Sequence, residues 1–241
     1  MTLTLILLPL GVVAGALTQR ITGIGFALVC APLLVVIAGP FEGVVLANLL
    51  SLVVAAVVFA THWRDVDWGR GVLLAAPALL TIPLGAWVAR TVPPAPLMVV
   101  IGLLVIVALG AVVLSARARV VRGRAGAVGA GAASGFMNVT AGVGGPAVVL
   151  YAVSTDWEHR RFVATFQVYA VVTNLASLVA KGGLHGISAA ALALCFGGLV
   201  VGLLGGEVLA RHVDHGTARR LAIGLALAGA AFTVVKGILA W

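Results

Sequence analysis

The feature that most constrains this chain is a series of long apolar runs with no polar domain between them. Charges, prolines and glycines divide it into ten apolar segments, at residues 3–18, 23–38, 42–61, 70–90, 95–115, 125–137, 143–155, 161–180, 187–210 and 217–238. A helix needs about 20 apolar residues to cross the hydrocarbon core of a bilayer. Because unpaired backbone groups cannot face lipid, all ten segments are expected to be helices. The sequence therefore predicts an all-α polytopic protein whose surroundings are the lipid bilayer.

Composition agrees with this class and excludes several others. The chain is 62% hydrophobic and 9% charged, whereas an ordinary soluble domain has about 25% charged residues. The net charge of +8 comes from short basic clusters between apolar runs, a pattern that sets membrane orientation and argues against nucleic acid as a partner. Cys30 and Cys195 stand alone in apolar segments, so neither a disulfide framework nor a cysteine metal site is expected.

The segments differ in length, and the shortest ones suggest interrupted helices. The third to fifth and eighth to tenth segments are comfortably long enough to span, whereas the sixth and seventh have only about 13 residues each. The first and second segments have about 16 residues per arm, which is borderline for a span. Each half of the chain is therefore expected to open with a short broken or re-entrant helical hairpin.

An internal repeat explains the order of short and long segments. When the second half is laid over the first, Gly142 falls on Gly23, Gly144 on Gly25 and Gln167 on Asn48. The predicted organisation is a first repeat at 1–116, a basic cytoplasmic linker at 117–124 and a second repeat at 125–241, in one membrane domain. Each half has five segments, an odd number, so the second half enters the membrane from the opposite side. This is the inverted-topology repeat of many secondary transporters.

Loop charges predict how the chain is oriented. One face collects Arg64, Arg70, Arg117, Arg119, Arg122, Arg124, Arg160, Arg161, Arg211, Arg219 and Arg220. The other face collects Arg90, Lys181 and Lys236. Since cytoplasmic loops carry the excess of lysine and arginine, the first face and the central basic loop are expected to be cytoplasmic. Both termini are then outside, in a multi-pass protein of the cytoplasmic membrane.

Two glycine-rich stretches mark the predicted breaks, "LTQRITGIGF" at 17–26 and "FMNVTAGVGGP" at 136–146. Broken helices at membrane depth are tolerated where they are buried or line a watery cavity. Helix amino termini starting near Gly23 and Gly142 can direct N–H groups at an anion. The alternative, close helix packing, is favoured for most other glycines, for example Gly197, Gly198, Gly202, Gly205 and Gly206.

Polar residues inside the long segments are the next candidates. Gln167, Asn174 and Lys181 recur on one helical face, and in the first half Asn48 corresponds to Gln167 and His62 to Lys181. These stripes either line a central path or make interhelical hydrogen bonds while Lys181 reaches the surface. Both alternatives stay open, and one does not exclude the other.

Two charged residues have two interpretations each. Arg20 is either a buried cation that faces an anionic substrate or one more cytoplasmic charge at a helix end. Glu207 is expected to form an ion pair with Arg211, one helical turn later, and proton coupling is the alternative. The sequence does not decide between these interpretations.

Enzyme motifs fail in this membrane context. "GAGAAS" at 129–134 imitates part of a dinucleotide loop, but no strand precedes it. "AASG" at 132–135 lacks the first glycine of a membrane serine protease motif, and no histidine lies mid-segment to activate Ser134. The histidines lie at loop edges without metal-ligand spacing. We therefore predict no enzymatic activity, no catalytic residue, no metal site and no cofactor.

Two stretches resemble a known family. "GALTQRITGIGFALVCAPLL" at 15–34 and "NVTAGVGGPAVVLY" at 138–151 are similar to the sulfite exporter TauE/SafE family of bacterial membrane permeases. The resemblance implies movement of small sulfur-containing anions, generally export. It carries over only to the matching positions: Thr22, Gly23, Gly25, Phe26, Asn138, Gly142, Gly144, Gly145 and Pro146. Val139 stands where a counterpart of Arg20 would be, which argues against a symmetric charged site.

The sequence thus predicts a secondary transporter of a sulfite-like anion or organosulfonate, working by alternating access, with export and proton coupling expected. The alternatives are a channel-like anion pore, a permease for small carboxylates and, less favoured, a membrane scaffold for a partner protein. The oligomeric state stays open, and a homodimer is one option. The candidate substrate-binding residues are Gln19, Arg20, Thr22, Gly23, Gly25, Phe26, Asn48, Asn138, Thr140, Gly142, Gly144, Gly145, Pro146, Gln167 and Asn174.

Overall fold

The computed structural model describes residues 2–22, 26–114, 121–184, 186–210 and 212–241. Ten α-helices occupy most of these ranges: α1 Thr2–Thr22, α2 Phe26–Ala38, α3 Pro40–His62, α4 Trp68–Thr91, α5 Pro94–Leu114, α6 Gly123–Ala141, α7 Gly145–Ser154, α8 His159–Ala180, α9 Ala189–Leu209 and α10 His215–Leu239. A 3₁₀ turn, Trp63–Asp65, follows α3, and the described residues contain no strand. The all-α prediction is confirmed, with one helix for each predicted segment.

Seven of these helices are long and apolar enough to cross a membrane, namely α1, α3, α4, α5, α8, α9 and α10. The prediction of six comfortable spans is therefore one short, because α1 has 21 residues and continues past the expected end at residue 18. Helix α6 has 19 residues rather than the predicted 125–137, but its glycines, alanines and polar side chains keep it outside the apolar set. Helices α2 and α7 are short, with 13 and 10 residues. Part of the predicted linker, 117–120, lies outside the described residues.

Glycines form the closest helix contacts, as small residues commonly do in membrane bundles. On α9, a Cβ atom added at Gly202 would lie 2.6 Å from the Cβ of Ala16 on α1, and Gly198 and Gly206 meet α1 in the same way. On α6, a Cβ at Gly135 would lie 2.6 Å from the Cα of Ala78 on α4. The packing prediction is confirmed for these α9 glycines. It is wrong for Gly197, which has nothing within 4 Å of an added Cβ and lies on the open face of α9.

Helices α3 and α8 lie side by side and antiparallel at the centre of the bundle. At one end, the backbone N–H of Asp67, just after α3, donates to Oγ1 of Thr165 near the start of α8, over 2.9 Å. At the other end, Nζ of Lys181, just after α8, lies 4.8 Å from the ring centroid of Phe41 at the start of α3. The short helix α2 packs on α3 of this centre, and α7 packs on α6 and α5 and contacts α8. The broken hairpins are therefore held inside the bundle.

Candidate functional site

The second hairpin reverses direction at a left-handed glycine. Helix α6 ends at Ala141, and Gly142 has a φ of 72° and donates its N–H to the carbonyl of Asn138 over 2.9 Å. A left-handed residue at this position is a common helix ending and favours glycine, which has no Cβ to clash. Helix α7 then begins at Gly145, with Pro146 in its first turn. The glycines of "TAGVGGP" thus bring the start of α7 into the bundle.

Gly144 fixes the position of the reversal by close approach. Ser134 Oγ donates to the carbonyl of Gly144 over 2.7 Å. A Cβ atom at residue 144 would lie 2.8 Å from Ser134 Oγ and 2.9 Å from the Ser134 carbonyl oxygen. No larger residue fits there without moving α6. No side chain caps the first turn of α7, where the first backbone N–H groups of a helix lack partners within it and the helix dipole is positive.

The first hairpin is capped differently. Helix α2 begins at Phe26, whose backbone N–H donates to Oε1 of Gln19 over 3.0 Å. Gly23 and Gly25 lie outside the described residues, and so does the side chain of Thr22. The N–H groups at the start of α2 were predicted to face an anion. The N–H of Phe26 instead donates to the side chain of Gln19.

A cavity of about 310 Å³ lies between the two hairpins. Its wall contains residues of α1, α2, α3, α6, α7 and α8. Eight candidate residues line it: Gln19, Phe26, Asn138, Gly144, Gly145, Pro146, Gln167 and Asn174. The fold thus brings together residues from both halves of the chain that the sequence treats as candidates.

Amide side chains form one end of the cavity. Nδ2 of Asn138 donates to Oδ1 of Asn174 over 3.2 Å and to Oγ of Ser177 over 3.1 Å. Asn174 in turn donates from Nδ2 to the carbonyl of Ala170. Asn174 therefore both lines the cavity and makes an interhelical hydrogen bond, as the two alternatives from the sequence propose, whereas Lys181 is buried and does not reach the surface. Gln167 lies on the same wall and is nearly buried.

Aromatic side chains of α8 cover another part of the wall. Phe162 and Phe166 have ring centroids 5.7 Å apart, and Phe166 and Tyr169 have centroids 6.2 Å apart. All three line the cavity. They were not among the residues predicted from the sequence, although their spacing along α8 places them on one helical face. Ser51, one turn after Asn48, and Thr173, beside Asn174, were not predicted either. The sequence signal for Ser51 and Thr173 is their position next to the candidates Asn48 and Asn174.

The cavity lacks a counter-charge for an anion. Among the described residues that line it, none is arginine, lysine, aspartate or glutamate, and His159 has the one imidazole. The lining reaches the surface at His159 and Val153, which are exposed, and it ends at buried Asn138 and Asn174. An anion in this cavity would therefore be held by amide groups and the start of α7, as at other helix amino termini.

The other candidates among the described residues lie outside the cavity lining. Arg20 forms an ion pair with Glu207 on α9, and both side chains are about half exposed. Arg211, the expected partner of Glu207, lies outside the described residues. Thr140 is buried and donates to the carbonyl of Phe136. Asn48 is fully buried, and its side-chain amide has no hydrogen-bond partner among the described residues.

Comparison with known families decides the class. The family model described as Sulfite exporter TauE/SafE matches residues 7–233, nearly the whole chain. The chain belongs to the TauE/SafE family. The resemblance seen in the sequence is thereby confirmed, and membership implies a membrane transporter of sulfite-like anions. No curated protein and no solved structure matches the sequence of this TauE/SafE chain.

Proposed function

We propose that the protein is a secondary transporter that exports a sulfite-like anion or organosulfonate across the bacterial inner membrane, driven by protons. The observation that carries this proposal is the cavity at the second hairpin. In an apolar membrane bundle, the start of α7 and the amides of Asn138, Gln167 and Asn174 converge on one space. Backbone N–H groups at a helix start, with amides beside them, are suited to sulfur oxyanions.

The size and lining of the cavity support an anion with a small organic body. The polar groups are concentrated near Asn138, while Phe162 and Phe166 form an apolar wall. Binding sites commonly combine an apolar lining with a few placed polar groups. A sulfonate places its charge at the amides and its carbon atoms against the rings. Sulfite itself would fill only the polar end.

Alternating access is the proposed mechanism, and the helix contacts support an inverted repeat. Gly206 of α9 packs against Leu17 and Arg20 of α1, and Gly85 of α4 packs against Phe136 and Val139 of α6. When the halves are overlaid, Gly206 corresponds to Gly85, and the α1 residues correspond to those of α6. The same contact thus occurs twice between the halves, with the two halves exchanged, as expected of repeats that rock about a shared site.

A carrier is favoured over a continuous pore because the cavity is closed at one end. Its lining ends at Asn138 and Asn174, and Lys181, two turns further along α8, is not part of it. The open end lies near the arginine-rich loops, where Arg160 pairs with Asp65. By the excess of positive charge this end is proposed to be cytoplasmic, with both termini outside. An inward-open cavity is the starting point that export requires.

Flux into proteoliposomes tests the function. Sulfite, thiosulfate, 2-hydroxyethanesulfonate and acetate are offered in turn, with and without a pH gradient. We expect saturable flux of at least one sulfur anion, accelerated by the gradient. Flux that does not saturate and carries ohmic current would indicate a pore. Transport of acetate alone would indicate a carboxylate permease, and no flux of any of the four would contradict the proposal.

A further inference from the structure

A buried lysine lies beyond the closed end of the cavity. Lys181 directly follows α8 and is only 4% exposed. Its Nζ atom is buried and has no hydrogen-bond partner among the described residues. A buried ammonium is costly unless it is paired or hydrogen-bonded, and no hydrogen bond among the described residues offsets that cost at Lys181.

The other cations at this end of the bundle have backbone partners. Arg90 donates from Nη2 to the carbonyl of Ala180 over 2.6 Å, and Lys236 donates from Nζ to the carbonyl of Val36 over 2.6 Å. Lys181 instead lies over the ring of Phe41, 4.8 Å from its centroid. The contrast shows that a carbonyl partner is available to cations in this region and that Lys181 does not use one.

Lys181 lies on the line of the cavity. Gln167, Asn174 and Lys181 recur every two turns on one face of α8, and the first two line the cavity. Ser177, which accepts from Asn138, lies one turn before Lys181. A path along this face of α8, beyond the hydrogen bond between Asn138 and Asn174, leads past Ser177 to the ammonium group of Lys181.

Asn48 marks the same stretch from the facing helix. Because α3 and α8 are antiparallel, with Phe41 beside Lys181 and Asp67 beside Thr165, Asn48 lies at about the depth of Asn174, using the helical rise per residue. Its amide is fully buried without a partner among the described residues. Two unpartnered polar side chains therefore lie on the two central helices, Asn48 level with the closed end of the cavity and Lys181 beyond it.

We propose that Lys181 is an anion-binding group at the mouth of the closed half of the transport path, where it receives the substrate when that half opens. The inference rests on the proposed function, since it assigns a second position on the same path. The ammonium provides the charge that the cavity lacks, and the anion provides the partner that the ammonium lacks. The substrate would thus pass from amides and a helix start to a single cation at the opposite mouth.

Burial makes this group sensitive to pH near neutrality. Burial lowers the pKa of Lys181 to about 7; Glu42 on α3 opposes the shift, and Arg90 on α4 adds to it. Below that pH the lysine is charged and attracts an anion, and above it the attraction is lost. We therefore expect anion binding at this mouth to weaken as the pH rises through neutrality.

Sided uptake of 2-hydroxyethanesulfonate tests the inference, because a sulfonate keeps its charge over this pH range whereas sulfite titrates within it. Right-side-out and inside-out vesicles give a KM for each face, with equal pH on both sides. For Lys181→Gln we expect the outside KM to rise about tenfold relative to the inside KM, as a lost ion contact implies. Lys181→Arg should restore the ratio to within about threefold of wild type, because arginine keeps the charge. Lys236→Gln removes a neighbouring cation outside the path and is the matched control.

The pH profile and stability give two further readouts. The wild-type outside KM should rise between about pH 6 and about pH 8, and Lys181→Arg should abolish that rise because arginine stays charged. Lys181→Met should melt at the same temperature as wild type or higher, since an unpaired buried charge is gone. Unchanged KM ratios in Lys181→Gln, or a large fall in melting temperature with equal loss from both faces, would overturn this inference alone. Absence of wild-type flux for every tested sulfur anion would overturn the proposed function and this inference with it.

Discussion

The side-chain amide of Asn138 on α6 donates to Oδ1 of Asn174 on α8 over 3.2 Å, at the closed end of a cavity that both residues line. This bond joins the broken hairpin to the central helix. It also leaves little donor capacity on Asn138, whose second amide hydrogen goes to Ser177. A substrate anion that bonds to Asn138 would have to compete with these partners, so the bond is well placed to change during transport.

Substitution of Asn138 should therefore impair transport. Asn138→Ala leaves its two partners unsatisfied, and a buried unsatisfied group costs about 1–3 kcal/mol, so we expect kcat/KM to fall about tenfold or more. Asn138→Asp should be worse, because a carboxylate replaces the donors and repels an anion. Thr155→Ala removes a side-chain hydrogen bond from the end of the same hairpin, outside the cavity, and should keep wild-type kinetics. Equal kinetics for Asn138→Asp and wild type would remove Asn138 from the site.

The close approach at Gly144 predicts a sharp contrast with its neighbour. Gly144→Ala places a Cβ atom 2.9 Å from the carbonyl oxygen of Ser134, which must move, whereas Gly145→Ala meets only the ring of Phe166 at 3.4 Å. We expect Gly144→Ala to lower the melting temperature of the purified protein by several degrees, about 1–3 kcal/mol of overpacking. Gly145→Ala should change it much less. Equal melting temperatures for the two variants would show that the reversal is not tightly packed.

The seam between α1 and α9 gives a second stability contrast. Gly202→Leu inserts a side chain whose Cβ atom alone would lie 2.6 Å from the Cβ of Ala16. Gly197→Leu instead extends into open space on the same helix. The first change should destabilise the protein strongly, and the second should leave its melting temperature within about 2 °C, the range of exposed substitutions. Similar losses for both would mean that α9 packs through a different face.

The aromatic wall predicts substrate selectivity. Phe166→Ala removes the ring between Phe162 and Tyr169, and we expect it to raise the KM for a longer alkanesulfonate several-fold more than the KM for sulfite, because each buried methylene contributes about 0.8 kcal/mol. Phe232→Ala, on an exposed face of α10, is the matched control and should not discriminate. A proportional change for both anions would place the organic body elsewhere.

Much of this arrangement could be predicted from the sequence. The ten helices follow from apolar segments, and the break at Gly142 follows from glycine and proline spacing, because both signals are local. The length of α1 could not be predicted, since Gln19 and Arg20 look like a helix end, yet the helix continues to Thr22. The pairing of Arg20 with Glu207 was also missed, because it joins helices far apart in the chain and the nearer Arg211 offered a local alternative.

Lys181 shows the limit of sequence reasoning most clearly. Its face on α8 was predicted, but a lysine at a helix end normally extends to the surface. The structure buries it beside Phe41 instead. Burial of this kind depends on how α3 and the loop after α8 pack together, which no local pattern encodes. The position of Asn48 opposite Asn174 depends on the same antiparallel pairing of α3 and α8.

A crystal structure with a bound sulfonate tests directly whether the cavity at the second hairpin is the anion site. 2-Bromoethanesulfonate has a bromine atom, an anomalous scatterer, at one end and the sulfonate at the other. Crystals of the complex therefore locate both ends of the molecule. We expect the sulfonate oxygens to lie within hydrogen-bond distance of the α7 start and the amides near Asn138, with the bromine toward Phe166. A sulfonate bound outside this cavity, for example beside Arg20, would contradict it.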